Sequence, residues 1–424
     1  MPSYAPHGDI TNYPTVTVEI GFSTVSSGSS VWNVGLWNTA KWSGRDVVWT
    51  DVTQYVRRIS TSRENNRDTG GYPAGTATLT LSNNDARFTP GNGSSPYASG
   101  GVSKVVPKVP IRIRATWAGT TYGVFFGRIN SWADEYPGMG KDCVTTITCS
   151  DTTADLAAIE LASIVAAGAG EAAGQRISRI ISAAGWSYDT DIGVGAISTM
   201  QATTLGDNAL SLAQLTAVSD GGDLFADGNG ALVFQDGNFP VDNARANTAQ
   251  VTFGSGVGEV KFADPVLTYD DTLIFNTIRF TRVGGTEQTQ TDPDSVALYG
   301  QRTSQRSDLI CETDSQAASL ANLELFKFRD PEYRVAALLV QGAVSPAAYW
   351  PLLLDARFGD YCIAKVPTPS GITITRNVFI TGISHQIDSD GDWQIRFAFR
   401  SATPYVNVWS GWDEGVWDTM TWYW

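Results

Sequence analysis

The stretch NVFITGISHQIDSDGDWQIRFAFR, residues 377–400, decides the fold class. Ile395, Phe397 and Phe399 alternate with Gln394, Arg396, Ala398 and Arg400, so every second side chain falls on one face of an extended chain. The intervening DSDGD supplies Asp and Gly for a tight reversal, and the whole reads as a β-hairpin with one face in a core. The same period recurs upstream. Val16, Val18, Ile20 and Phe22 alternate with Thr15, Thr17 and Glu19. Ala77, Leu79 and Leu81 sit between Thr76, Thr78, Thr80 and Ser82, and Ile111, Ile113, Ala115 and Trp117 between Arg112, Arg114 and Thr116. With Tyr122 to Trp132 and Cys143 to Cys149, these half-buried antiparallel strands make a β-barrel or β-sandwich domain over residues 1–150, with a Trp-rich insertion at 31–49.

At Asp151 the period changes. DTTADLAAIELASIVAAGAG is Ala-rich and opens on residues that cap helices, so a helix is expected there. QRISRIISAAGW follows, with Ile177, Ile180, Ile181 and Ala184 on one helical face and Gly185 as its stop. A third helix is expected from Asp207 to Val218, then short strands LFA and ALVFQD beside the turns SDGGD and ADGNG, closing a small α/β domain at 151–240. β signals resume at Val251 to Phe253, Thr277 to Thr281 and Arg334 to Gln341 in a second β-barrel-like domain, 241–405. One helix is expected inside it, opened by a capping box of Thr313 with Gln316 and ended by Pro331. Residues 406–424 form a C-terminal Trp-rich arm. The expected fold class is therefore mainly β and multi-domain, two β-barrel or sandwich domains with a small inserted α/β domain and Trp-rich arms.

The chain of 424 residues carries 43 acidic and 29 basic side chains, a net charge of −14, which argues against a surface that grips nucleic-acid phosphates. No run approaches the roughly 20 apolar residues of a membrane helix, and the opening MPSYAPHGDITNYP lacks the pattern of a signal peptide. Cys143, Cys149, Cys311 and Cys362 are too scattered for a disulfide framework or a CxxC metal site and read as small core residues. Only His7 and His385 are present, which leaves little for triad or multi-histidine chemistry; His385 is expected as a surface or partly packed strand residue. Asp388, Asp390 and Asp392 have calcium-loop spacing, but Gly391 stands at the fourth position and Phe399 where a closing Glu belongs, so a hairpin turn is preferred. The loop with Asp220, Asp223 and Asp227 reads the same way. No cofactor or metal is expected, and a paired-carboxylate glycosidase has no sequence support beyond the abundance of acids.

Tryptophan placement is the most unusual feature of the chain. WNVGLWNTAKW, Trp32 to Trp42, and WDEGVWDTMTW, Trp412 to Trp422, share the pattern W-[ND]-x-G-[LV]-W-[ND]-T-x-x-W, an internal repeat in the rarest residue type. A five-residue spacing suits neither a helix face nor a strand face, so each segment reads as a chain of turns with stacked indoles. The indoles either pack within their own subunit or dock on a neighbouring protein; the docking set is Trp32, Trp37, Trp42, Trp409, Trp412, Trp417, Trp422 and Trp424. Stacking on a host-surface glycan is the other reading, which makes the chain a carbohydrate-binding, receptor-recognising protein.

Thr50 to Pro90, containing AGTATLTLSNNDARFTP, followed by the strand Ile111 to Ala115, resembles the minor tail proteins of long, non-contractile-tailed phages that infect actinobacteria. GTTYGVFFGRINSW with TCSDTTADLA, the run TDSQAASLANLELFKFRDPEYRVAALLV, the closing hairpin and the Trp-rich repeat are similar to that family as well. The resemblance implies a structural, non-enzymatic protein of the virion, made in the host cytoplasm and carried at the distal end of the tail. It implies a tail-tip or baseplate hub with two related β-barrel domains per subunit, three subunits closing a ring beneath the tube and forming part of the DNA-ejection channel. The implied partners are the distal tail protein, the tape measure protein and tip fibre or spike proteins, with DNA passing unbound. An acidic lumen that repels the genome follows from the −14 charge as an expectation.

Overall fold

The computed structural model describes residues 12–26, 45–65, 71–138, 141–196, 199–388 and 391–406. Period-two patterning becomes one 13-stranded sheet. Its strands are β1 (Thr15–Ser26), β2 (Arg45–Asp51), β3 (Val56–Glu64), β4 (Thr76–Ser82), β5 (Pro110–Trp117), β6 (Thr120–Glu135) and β7 (Val144–Asp151) from the first part of the chain. The second part contributes β8 (Val251–Phe253), β9 (Ala263–Thr268), β10 (Arg334–Gln341), β11 (Tyr361–Pro367), β12 (Thr373–Asp388) and β13 (Trp393–Ser401). The order across the sheet is β9-β10-β13-β12-β3-β4-β7-β6-β5-β1-β2, with β11 paired to β12 and β8 to β11.

The two parts meet where β12 pairs antiparallel with β3, Ile387 opposite Ile59, His385 opposite Thr61 and Ile383 opposite Arg63. β12 changes neighbour along its length, lying against β11 from Thr373 to Phe379 and against β3 from Gly382 to Asp388. Gly382 makes this switch possible. It follows a bulge in the pairing with β13, and a Cβ there would come within 2.6 Å of Glu64 Cγ and 2.9 Å of Ala398 Cβ.

Two inserts leave the sheet. Between β7 and β8, α1 (Ala173–Ala183), α2 (Ala209–Ser219) and short strands at Thr190–Ile192, Asp223–Ala226 and Leu232–Gln235 enclose a core of Ile177, Ile180, Leu224 and Phe234. Asn208 caps α2 by accepting from the Leu210 and Ser211 amides, and Gly185, at φ 69°, ends α1. Between β9 and β10, strands Thr277–Arg282, Gln288–Thr291 and Thr303–Leu309 pack with α4 (Asp314–Phe328) around Ile278, Phe280 and Leu320, and α3 (Pro293–Tyr299) is tied on by Ser295 donating to the Arg329 carbonyl. The inserts touch through a short ladder in which Gln201 donates its amide to the Ile310 carbonyl at 2.9 Å and Glu312 to that of Thr199 at 3.1 Å.

Inward side chains of both parts, among them Ile20, Leu79, Ile113, Ile147, Ile383, Ile395 and Phe397, form one buried cluster that crosses the junction of β12 with β3. Each such side chain contributes roughly 1.5–3 kcal/mol. Trp350, on α5 (Pro346–Leu354), is fully buried in that cluster, its ring 4.9 Å from Trp393 and its indole N–H donating at 2.8 Å to the Asn12 carbonyl.

Three expectations need correction. The helix expected through DTTADLAAIELASIVAAGAG lasts one turn, Thr153–Leu156, after which Ser163–Ala167 is a strand paired with Thr203–Leu205. β-branched Ile164 and Val165 favour the extended chain, and Gly168 and Gly170, both at positive φ, end it. The single helix expected in the second part is joined by α3 and α5, each opened by a proline that pre-sets the first helical residue. His385 is buried, 5% exposed, because it alternates with Ile383 and Ile387 on the core face of β12, where it meets the Trp393 indole.

Candidate functional site

Alternation gives the central strands a second, outward face, and the register aligns its residues across six strands. One row runs Gln394, Gln386, Ser60, Thr78, Thr148, Ser131 through β13, β12, β3, β4, β7 and β6. The row beside it runs Arg396, Ser384, Ser62, Thr76, Ser150, Arg128. Residues opposite one another in a ladder share a face, so these side chains form a continuous surface about 24 Å wide at the usual strand spacing. Ser60, Thr76, Thr78, Thr148, Ser131 and Gln386 are exposed, while their sequence neighbours Ile59, Ala77, Leu79, Ile147 and Ile387 are buried.

The face is built of hydroxyls and amides, several bonded to each other: Ser384 Oγ to Ser62 Oγ at 3.2 Å, Ser131 Oγ to Thr148 Oγ1 at 2.6 Å, and Asn130 Nδ2 donating to Ser150 Oγ at 2.7 Å. Its arginines are each matched by a carboxylate. Arg58 meets Asp388 at 2.6 Å, Arg396 meets Glu64 at 3.1 Å and Arg128 meets Asp155 at 2.7 Å. The rows are therefore polar and electrically balanced, and the acidic excess of the chain is not carried by them. Threonine suits both demands, being β-branched and hydroxylated.

A cavity of about 610 Å³ lies where the sheet, the first insert and the loop after α5 converge. Arg63 reaches it from β3, its guanidinium donating to the Ala226 carbonyl at 3.4 Å and lying 5.3 Å over the Phe358 ring. Burial lowers its pKa, with Asp227 and Asp151 opposing. Buried Asp151 accepts from the Gly75 amide at 2.6 Å and from the Thr153 amide and hydroxyl at 3.0 and 2.6 Å; desolvation nevertheless pushes its carboxyl upward. Arg245 clasps Asp360 with two bonds of 2.6 Å and Asp355 with one of 2.8 Å. Insert and sheet approach closely here, since a Cβ on Gly228 would stand 2.1 Å from the Gly123 carbonyl oxygen.

The acidic loops are used as turns and ion pairs. Asp220 accepts from the Ala196 amide at 2.9 Å, Asp223 meets Arg400 at 2.8 Å, Asp227 holds the Asn229 and Ala231 amides at 2.8 Å, and Asp392 accepts from Gln394 at 2.6 Å. Among the described residues no group of three or more His, Cys, Asp or Glu side chains converges on a metal site. The four cysteines are buried and unbridged, and burial raises the thiols of Cys149 and Cys362. His7, Asp390 and the docking set Trp32, Trp37, Trp42, Trp409, Trp412, Trp417, Trp422 and Trp424 lie outside the described residues. The open face went unread in the sequence, although its Thr and Ser alternation was visible, because the strand register that aligns it is set by contacts hundreds of residues apart.

No protein-family model matches the chain, and no curated protein matches it in sequence. Among solved structures, the prophage MuSo2 43 kDa tail protein from Shewanella oneidensis aligns at a TM-score of 0.54 and 14% identity, covering 92% of this chain and 98% of that one. The tail protein from Neisseria meningitidis MC58 aligns at 0.57 and 10% identity, covering 92% and 96%. The chain has a tail-protein fold. At such identities the likeness is one of architecture. Coverage of 92% means that the tail-protein fold embraces both parts of the sheet and the bulk of the inserts.

Proposed function

We propose that this chain is a structural protein of a phage tail, a tail-tip hub that links the tube and distal tail ring to the tip and its fibres. The two β parts act as paired hub modules, residues 1–150 and 241–405, with 151–240 inserted between them. Three copies close a ring, and the open face of the sheet lines the passage for DNA. The observation that carries this reading is the balanced hydroxyl face running unbroken across the junction of β12 with β3. Duplex DNA presents about one negative charge per 1.7 Å, so an unpaired arginine or lysine on a channel wall would hold it. Within the two rows Arg396 and Arg128 are each occupied by a carboxylate, as is Arg58 beside them, and the remaining groups are neutral; Lys108, without an ion pair among the described residues, stands off the rows, on the turn before β5. Such a wall lets DNA slide by neutrality, and this replaces the expectation of an acidic, repelling lumen.

The tail-protein fold supports the broader role. The Trp-rich arms are proposed to dock on neighbours among the distal tail protein, the tape measure protein and tip fibre or spike proteins. The test is imaging of purified particles with gold-labelled antibody raised against this chain. Label confined to the distal end of the tail is the expected result. Label along the shaft, or particles without label, overturns the hub, and host-glycan binding lost on deleting the Trp-rich arms would then favour a receptor-recognising protein.

A further inference from the structure

A cleft of about 390 Å³ opens at the margin of the open face, lined by Lys108, Arg128, Asp155, Ile159, Gly185, Trp186, Ser187 and Tyr188. Three parts of the chain converge on it: the turn before β5, the strand β6, and the first insert through its opening helical turn and the loop after α1. The polar groups are locked to one another. Arg128 Nε donates to Asp155 Oδ2 at 2.7 Å and to Tyr188 Oη at 3.0 Å, Arg128 Nη1 donates to the Lys108 carbonyl at 3.0 Å, and Tyr188 donates its hydroxyl to Asp155 Oδ2 at 2.6 Å. Asp155 Oδ1 is left as an acceptor.

The aromatic wall is Trp186 edge-on to Tyr188, ring centroids 4.8 Å apart. The Trp186 indole N–H is buried and meets no acceptor among the described residues. Lys108 is held at φ 67°, a conformation costly for a side-chain-bearing residue, with its amide bonded at 2.6 Å to the Ile129 carbonyl. Its exposed ammonium forms no ion pair among the described residues. Two cations against one carboxylate make the cleft locally positive on a chain of net charge −14.

We propose that this cleft binds an acidic saccharide, a uronate-bearing sugar unit. The sugar's C–H face packs on Trp186 and Tyr188, its hydroxyls bond to Asp155, and its carboxylate meets Lys108. Asp155 favours a sugar over a nucleotide, because its free oxygen can accept from vicinal hydroxyls, which a phosphate group lacks. The site is independent of the Trp-rich arms and of the hub reading.

The test uses the full chain in saturation-transfer NMR titrations with methyl β-D-glucuronide, methyl β-D-glucoside and thymidine 5′-monophosphate. The glucuronide is expected to bind, with the neutral glucoside weaker by about two- to fivefold, the range of one exposed ion pair. Lys108→Gln should erase that difference without altering glucoside binding, and Trp186→Ala should weaken both sugars. The proposal fails if the glucuronide gives no saturable transfer, if the nucleotide binds more tightly, or if Lys108→Gln leaves the glucuronide unaffected. Because Lys108 is exposed on a turn, that last variant decides the matter even if Trp186→Ala does not fold.

Discussion

His385 makes the junction of β12 with β3 sensitive to acid. It lies between Thr61 on β3 and Ile395 on β13, accepts a 3.3 Å hydrogen bond at Nδ1 from the Trp393 indole, and faces the positive charge of Arg63. Burial first, then Arg63, pushes its pKa down to about 3 from an ordinary 6.5. The folded protein therefore holds this imidazole neutral while the unfolded chain takes up a proton. A depressed histidine pKa contributes stability that is complete above about pH 6.5 and is lost as pH falls toward 3. Between about pH 7.5 and about pH 4.5 the expected loss is about 3 kcal/mol. The assay is urea unfolding across that range for the natural chain and for His385→Gln, which keeps an acceptor for Trp393 and cannot titrate. Asp151 and Asp360, whose carboxyls burial pushes upward, act in the opposite direction, and they cancel in the difference between the two proteins. Parallel stability curves for the two proteins would refute the reasoning.

Gly228→Ala should cost about 1–3 kcal/mol by forcing a methyl against the Gly123 carbonyl, and limited proteolysis should then cut the first insert sooner than the sheet. Trp350→Ala should cost about 3–5 kcal/mol in thermal or urea unfolding, because it empties a fully buried site. Thr78→Lys with Thr148→Lys, directly opposite each other on the open face, should together cost about 1–2 kcal/mol through like-charge repulsion and the lost bond of Thr148 to Ser131, yet leave the fold intact and slow DNA release from assembled particles; unchanged release kinetics would remove the channel role of this face. Deleting Trp409 to Trp424 should yield tails that lack a stable tip or its fibres, seen by electron microscopy, and normal infectious particles would end the docking proposal.

Local signals carried far where the physics is local. The alternation of Ile111, Ile113 and Ala115, the capping box of Thr313 with Gln316 and the glycine stop at Gly185 all depend on a few neighbouring residues, and each became the expected element. The Asp292-Pro293 start of α3 and the Ser345-Pro346 start of α5 are equally local cues. The Ala-rich segment after Asp151 misled because composition outweighed two β-branched residues in a short run. What could not be read was the pairing of β12 with β3, across more than 300 residues of chain. That pairing aligns Ser60 with Gln386, so the open face was out of reach, whereas the burial of His385 was legible in its alternation with Ile383 and Ile387. The saccharide cleft is similar: Trp186 and Tyr188 stood plainly after a helix, but Lys108 and Arg128 reach them only through the fold.

The ladder between Gln201 and Ile310 has a mechanical meaning. The two β parts are joined along the sheet and through their shared core, which Trp350 ties to Asn12, and they are joined again through their inserts, so the junction of β12 with β3 is spanned like the base of a truss. Bending about the seam must break its hydrogen bonds and open the core beneath it, and here it must also stretch or shear the strut above. A load applied to either part is divided between both connections, and the molecule transmits force as a stiff plate in place of folding like a hinge.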